Sequence, residues 1–398
     1  MRWAGILNEK AGRLKEELIA IRRRIHGSPE LGFEEKWTSQ FICKKLKALG
    51  IRFQAGVGKT GVVGIIEGRG EGRGAGKTIG LRADMDGVPV QEETGAAYAS
   101  EKPGVMHACG HDAHVACLIG AASILVSLRD RFQGNIKLIF QPAEEIDQGA
   151  KAMMLDGVLE RPRPDAFLAL HVAPELSVGT VGIKEGPMMA AIDTLKISVT
   201  GIGGHGGAPH QCVDAIVAAS AMVMNLQTAV SRNIDPAQST SISIGTISGG
   251  QADNIIASRV DLTGTVRTID PEVHQVIPQI IERICKNTAA TFGAGVSLGY
   301  QKLIPPLINC KEMVGRVAES SKAILGLNSV VEVPVFMGGD DFAFFLKEIP
   351  GCYFYLGTKN PNWKKARSLH NGHFDIDERC LHLGAAILAH TALITIER

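Results

Sequence analysis

Short, continuous apolar runs, each bounded by Gly, Pro or Asp, recur at 61–66, 79–83, 136–140, 166–170 and 353–356. Helix-like stretches at 113–128 and 149–159 lie between some of them. A strand that is apolar on both faces has to be covered on both faces, and helices crossing between parallel strands provide that cover. The pattern predicts an α/β body with a mixed, largely parallel sheet flanked by helices. Ahead of it, Leu14, Leu18, Ile21 and Ile25, then Phe41, Leu46 and Leu49, have helical spacing, with HGSPELGFEE as the loop between.

From about Met188 the rhythm changes. Strand-like 195–200, helix-like 214–230, strand-like 239–247 and 259–268, helix-like 271–292 and strand-like 296–301 follow in order. That order is the β-α-β-β-α-β of a ferredoxin-like α+β unit. It predicts an inserted domain at 188–299 within a discontinuous body made of 1–187 and 300–398, a division that suits 398 residues. The Gly-rich, charged stretch EGRGEGRGAGKT at 67–78 reads as a solvated hairpin connection.

Composition mainly excludes. A formal charge of +1 offers no basic field for nucleic acid. Eight cysteines without a C-x2-C pair suit a reducing compartment better than a disulfide framework. The longest apolar segment, 115–128, falls short of the roughly 20 residues a membrane span needs. The apolar stretch near the N-terminus is too short for a signal peptide, so a cytoplasmic protein without membrane partners is expected. Two GKT tripeptides lack the glycine that a phosphate-binding loop requires upstream. Gly201, Gly203 and Gly206 fit G-x-G-x-x-G, but no acidic residue closes a second strand beyond them.

Chemistry-bearing residues gather instead at predicted strand ends. Asp84 and Asp86 follow IGLRA; Cys109, His111, Asp112 and His114 lie in MHACGHDAH; Glu144 and Glu145 follow IKLIFQPA; His171 follows DAFLAL. Any one of these has an ordinary structural explanation: a lone histidine is usually structural, and a lone cysteine is a small hydrophobe. Their coincidence at successive strand ends, which open onto one crevice in such sheets, favours a metal site. Thiolate, imidazole and carboxylate together suit Zn, Mn, Co or Ni better than Mg or Ca. The donors outnumber what one tetrahedral ion uses, and a pair of ions about 3.5 Å apart would use them.

The strings LRADMDGVPV, MHACGHDAH, FQPAEE, LHV and SLHNGHFDIDE, in that order, resemble those of the aminoacylase-like metallopeptidases and amidohydrolases. That family includes hippurate hydrolases, thermophilic carboxypeptidases and indole-acetyl-amino-acid hydrolases. The resemblance runs from about Arg24 to the C-terminus. It implies a zinc-peptidase-like fold with a lid and dimerisation domain, and two divalent ions per subunit held by Cys109, His111, Glu145, His171 and His370. It further implies Glu144 as general base, Asp86 orienting a ligand, and Asp84 where distant relatives have a histidine ligand. In the inserted domain, His205 would hold the oxyanion, and Asn254 and Arg267 the substrate, with Arg267 clamping a terminal carboxylate.

The expected activity is hydrolysis of the amide bond of small N-acyl or N-aminoacyl amino acids by a homodimer or higher homo-oligomer. A carboxypeptidase acting on short peptides and a noncatalytic small-ligand module are the alternatives. Two departures stand out: Asp340 where the family has glutamate, and Gly372 where it has proline, which is expected to loosen the loop holding His370. Met188, Met189, Met337 and Phe342 are candidate pocket residues whose orientation spacing does not reveal.

Overall fold

The computed structural model describes residues 2–70, 76–363 and 367–398. Along the chain come α1 (Ala4–His26), α2 (Lys36–Ala48), β1 (Arg52–Val57), β2 (Gly61–Arg69), β3 (Thr78–Asp84), α3 (His111–Val126), β4 (Gln133–Gln141), α4 (Gly149–Leu155), β5 (Ala166–Ser177) and β6 (Val181–Ile183). Next are β7 (Gly186–Met189), β8 (Ile192–Thr200), β9 (Gly204–His205), α5 (Ala215–Asn233), β10 (Thr240–Gly249), β11 (Ile255–Ile256), β12 (Arg259–Thr268), α6 (Pro271–Thr291), β13 (Gly295–Ile304) and β14 (Leu307–Asn309). Last are α7 (Lys311–Leu325), β15 (Val330–Glu332), α8 (Ala343–Glu348), β16 (Gly351–Lys359) and α9 (Cys380–Ile396).

Two compact units result. One takes the residues through Gly186, Ile308–Pro334 and Phe344–Arg398; the other takes Pro187–Leu307 and Val335–Ala343. The sequence-based bounds differ in two places. Strand β13 carries the second unit past residue 299. The stretch holding Asp340, read from sequence as part of the first body, joins the second unit because Phe336 N–H donates to Met188 O and Ala190 N–H to Gly338 O.

The first unit is built on a sheet in the order β1-β2-β4-β3-β5-β16-β6-β15. Its centre, β4-β3-β5-β16, is parallel, and antiparallel pairs lie toward the edges. Strand β4 sits between β2 and β3, so the 67–78 connection is a crossover and not the hairpin expected; residues 71–75 of it lie outside the described residues. Helices α1, α3, α7 and α9 pack against one another and share one apolar core with the sheet. Helix α3, HDAHVACLIGAASILV, is buried nearly all round, which explains an apolar run with no polar face. Among the described residues no helix is long and apolar enough to cross a membrane.

Register positions the chemistry. Asp84 lies opposite Gln141, so β3 and β4 end level and the residues after each enter the same region. Strand β5 follows β3 only as far as Ala169 opposite Arg82 and then continues beside β16 to Ser177. His171 is therefore inside a strand that outruns its neighbour, not at a strand end as the sequence suggested.

The second unit is an antiparallel sheet in the order β10-β12-β8-β13. Leu195, Ile197 and Val199 alternate inward along β8 and meet Ala218, Met222 and Leu226 of α5 and Ile277 and Ile281 of α6. Both helices start at aspartate caps: Asp214 accepts from Ile216 N–H and Val217 N–H, and Asp270 from Glu272 N–H and Val273 N–H.

Candidate metal centre

Cys109 and His111 are set by the turn into α3. Gly110 between them has φ +86°, and a Cβ there would lie 2.4 Å from Val172 Cγ2. Only glycine takes that conformation at that distance. The turn brings Cys109 Sγ to 3.4 Å from His171 Nε2. His171 Nδ1 donates to Val172 O at 2.8 Å, which leaves Nε2 as the lone-pair nitrogen facing the thiol. Burial, with His114 and His111 nearby, lowers His171 to about 3, so the ring is neutral.

His111 is fully buried, and its Nδ1 donates to Asp86 Oδ1 at 3.2 Å. Its Nε2 has no hydrogen-bond partner. Asp86 Oδ2 accepts the backbone N–H of Glu145 at 3.0 Å, so one carboxylate orients both a histidine ring and the segment that carries the paired glutamates. Glu145 Oε1 lies 3.2 Å from His370 Nε2 and 3.7 Å from His111 Nε2, and Glu144 Oε2 lies 3.9 Å from His111 Nε2. His370 is half exposed; its N–H donates to Ala108 O, next to Cys109, at 2.8 Å.

Asp84 and His114 lie beside these groups in a different role. Asp84 is buried between Arg82 Nη1 at 2.6 Å and His114 Nδ1 at 2.5 Å. His114 Nε2 accepts Val172 N–H at 3.0 Å, so both of its nitrogens are used within the fold. Burial opposes ionisation of Asp84, but Arg82 and the two histidines hold it well below the usual carboxylate range.

The five residues assigned as ligands therefore converge. Ligand atoms of Cys109, His111 and His171 lie within 4.8 Å of one another, as do those of Cys109, Glu145 and His370 and those of His111, Glu144 and Glu145. The donor set fits divalent cations on two counts. A buried imidazole nitrogen is orphaned at its centre, and such an atom is costly without a partner. The local field also calls for positive charge. Burial works against a charged His111, yet Asp84, Asp86 and Glu145 raise it to about 10, while burial and the carboxylates of Glu145, Glu144 and Asp84 push the Cys109 thiol well up.

The residues assigned to substrate lie in the second unit. His205 is exposed on β9, opposite Ile255 of β11. Gly207 N–H donates to its Nδ1 at 2.9 Å, which leaves the proton on Nε2. Asn254 O accepts Gly206 N–H at 2.8 Å, and Arg267 is on β12 opposite Ser241. Asp340 is buried in the same unit and its Oδ1 accepts Phe342 N–H at 2.8 Å. Met188 and Phe342 are fully buried, and Met189 is 5% exposed.

The loop that was expected to be loosened by Gly372 is tied at that residue: its carbonyl accepts Glu93 N–H at 2.8 Å, and a Cβ there would lie 2.5 Å from Gln91 O. Sequence reasoning also missed Glu35, which is buried and accepts Ala143 N–H at 2.8 Å and the Thr60 hydroxyl at 2.6 Å. A second glutamate after a Gly-Phe turn gives no local sign of such a role.

A family model described as peptidase family M20/M25/M40 matches residues 80–394. An N-acetyl-L-cysteine deacetylase of Bacillus subtilis (strain 168) is 40% identical over 381 residues, 95% of this chain and 88% of the relative. Thermostable carboxypeptidase 2 of Saccharolobus solfataricus is 39% identical over 384 residues, 96% of this chain and 95% of the relative. Among solved structures, a dinuclear metal-binding peptidase of the M20 family from Bacillus subtilis superposes with a TM-score of 0.84 at 33% identity, covering 97% of this chain and 99% of that one. With matches that span nearly its whole length, the chain belongs to peptidase family M20/M25/M40 and is an amidohydrolase or peptidase of that family.

Proposed function

We propose that the protein cleaves the amide bond of small N-acyl amino acids, with water as nucleophile, at a centre of two divalent ions. The convergence of Cys109, His111, Glu145, His171 and His370 around the orphaned His111 Nε2 carries this reading. Those five side chains would hold the ions, with Zn, Mn, Co and Ni all compatible with the donors. Such ions supply Lewis-acid polarisation of a carbonyl and a water of lowered pKa.

The protein's own groups do the rest. Glu144, next in sequence to Glu145 and within reach of His111, takes a proton from the attacking water and returns it to the leaving nitrogen. Asp86 holds His111 in the tautomer whose Nε2 donates a lone pair. His205, with its proton on Nε2, is a donor suited to a developing oxyanion. Asn254 and Arg267 bind the amino-acid half, with Arg267 on its carboxylate.

Two further elements of this proposal rest on unit surfaces and thiols. Ile216, Val217 and Met224 of α5 and Ile247 of β10 are large apolar side chains left exposed, and β10 is an edge strand, which supports self-association through the second unit. All eight cysteines are unpaired, which supports a reducing compartment such as the cytoplasm.

The test is release of free amino acid from N-acetyl and N-benzoyl amino acids by metal-loaded protein, with and without chelator, alongside Glu144→Gln. Chelator-sensitive hydrolysis that falls at least a thousandfold in the variant, with metal content kept, is expected. An active Glu144→Gln removes the assigned base, and tight binding without turnover favours a noncatalytic module. The carboxypeptidase named among the relatives supports a second reading, cleavage of short peptides, which the same assay separates with dipeptide substrates.

A further inference from the structure

Three parts of the sequence have no role in the chemistry above: RRRIH at 22–26, the Asp112 of MHACGHDAH, and FDIDE at 374–378. The first unit brings them together. Arg22, near the end of α1, is fully buried, and its guanidinium reaches two segments at once. Its Nε donates to Asp112 Oδ2 at 2.7 Å, and its Nη2 lies 3.3 Å from Asp375 Oδ1. Asp112 follows His111 at the start of α3, and Asp375 closes the loop that begins at His370. One helical turn on, His26 Nδ1 lies 2.7 Å from the same Asp112 oxygen, and His26 Nε2 lies 3.3 Å from Glu92. Glu93 N–H donates to Gly372 O at 2.8 Å, so this second arm also ends on the His370 loop. Tyr98 stacks against the guanidinium, 4.9 Å from Cζ to ring centre, and its hydroxyl donates to Asp375 at 3.2 Å.

His370 needs such support. Its backbone has φ +56°, in the left-handed region, within a loop that has neither helix nor strand, and its side chain is half exposed. A non-glycine residue stays in that conformation only where its surroundings fix it. Cys109, His111 and His171 are buried instead, the last two within α3 and β5. A fully buried ion pair roughly offsets its own desolvation, so what Arg22 supplies is geometry more than stability. A planar guanidinium with its fork of N–H donors spans both carboxylates, whereas a lysine ammonium is a single point charge.

We propose that Arg22 is a positioning residue of the metal centre, holding the helix start that carries Cys109 and His111 in place against the loop that carries His370. The proposal rests on the two-ion reading above. Its consequence is selective: loosening this tie weakens the ion that His370 would hold and spares the ion at His111 and His171. Groups that orient a metal ligand through hydrogen bonds typically account for about 10–100-fold in metal affinity.

The experiment titrates Co(II) into the metal-free whole chain, with calorimetry for the dissociation constants and absorption for the ligand field of each ion. Wild type is expected to bind two equivalents. In Asp375→Asn, which keeps an acceptor for Ile376 N–H, and in Arg22→Lys, one dissociation constant is expected to rise about 10–100-fold while the other stays within about threefold. Circular dichroism checks the fold, and Asp375→Asn decides if Arg22→Lys does not fold. Arg367→Ala removes the other cation beside Asp375, at 3.0 Å, and is expected to leave both constants in place. In His370→Ala the same ion is weakened, and adding Asp375→Asn weakens it no further. Constants unmoved in the folded variants, an equal rise in both, a further loss on top of His370→Ala, or the same shift in Arg367→Ala overturns the positioning role and leaves the two-ion centre intact. Fewer than two equivalents in wild type overturns the two together.

Discussion

The buried carboxylate of Glu35 accepts the backbone N–H of Ala143 at 2.8 Å, one residue before Glu144. Ala143 sits at φ +52°, in the left-handed region that non-glycine residues adopt at a cost of roughly 1–2 kcal/mol. A residue far upstream thus holds the strained peptide that aims both glutamates.

Glu35→Ala is therefore expected to lower kcat at least tenfold and to weaken metal retention. Loss of the acceptor leaves a buried N–H unsatisfied, at about 1–3 kcal/mol. Glu35→Gln keeps an acceptor for Ala143 and a donor for Thr60 Oγ1, and should recover most of the activity. Steady-state kinetics with metal analysis checks this; equal loss in Ala and Gln would show that the acceptor is not what matters.

Cys109→Ser should weaken metal retention and abolish any thiolate-to-metal charge-transfer band in the cobalt-loaded protein. Its Sγ lies 3.4 Å from His171 Nε2, within the cluster proposed to hold the ions. An unchanged near-ultraviolet spectrum would remove Cys109 from it.

Gly372→Ala puts a Cβ 2.5 Å from Gln91 O, so the His370 loop has to shift. A destabilisation of about 1–3 kcal/mol is expected, with weaker binding of the metal that His370 is proposed to hold. Thermal unfolding and metal titration measure both, and a variant with wild-type values in each would mean that the loop has slack.

Stability should fall steeply in acid. Arg22 is buried with Asp112 Oδ2 at 2.7 Å from its Nε and Asp375 Oδ1 at 3.3 Å, and His26 bridges Asp112 and Glu92. Burial opposes ionisation, yet Arg22 and His26 hold Asp112 far below the usual range, and bonds from His26, Thr94 and Ser100 bring Glu92 to about 2. A depressed carboxylate binds its proton more readily in the unfolded chain. This contribution is present above about pH 4.5 and is lost as pH falls toward 2. Glu92→Gln should have a lower Tm than wild type at pH 7, with the two converging between pH 4.5 and 2. A constant difference across that window would assign the effect to packing.

Much of this site was legible before any coordinates. Asp84 and Asp86, the paired glutamates and the MHACGHDAH turn stand out because β3 and β4 end level, and a strand end is a local feature. His171 was found for a partly wrong reason, since β5 continues past it. His370 came through resemblance alone, because it lies in an irregular loop with no periodicity to read. Glu35 and the Arg22–Asp112 pair were not legible, as each acts through contacts dozens of residues away. Strand β1 was missed because its burial pattern is mostly exposed and lacks an apolar run. The reach of the second unit to Leu307 and its return at 335–343 were missed because backbone pairing, not composition, defines them.

Metal content per chain, measured by elemental analysis after reloading and removal of excess ion, tests the two-ion centre most directly. Two equivalents of a divalent transition ion per chain are expected, held by Cys109, His111, Glu145, His171 and His370. One equivalent or none in folded, reloaded protein would contradict it.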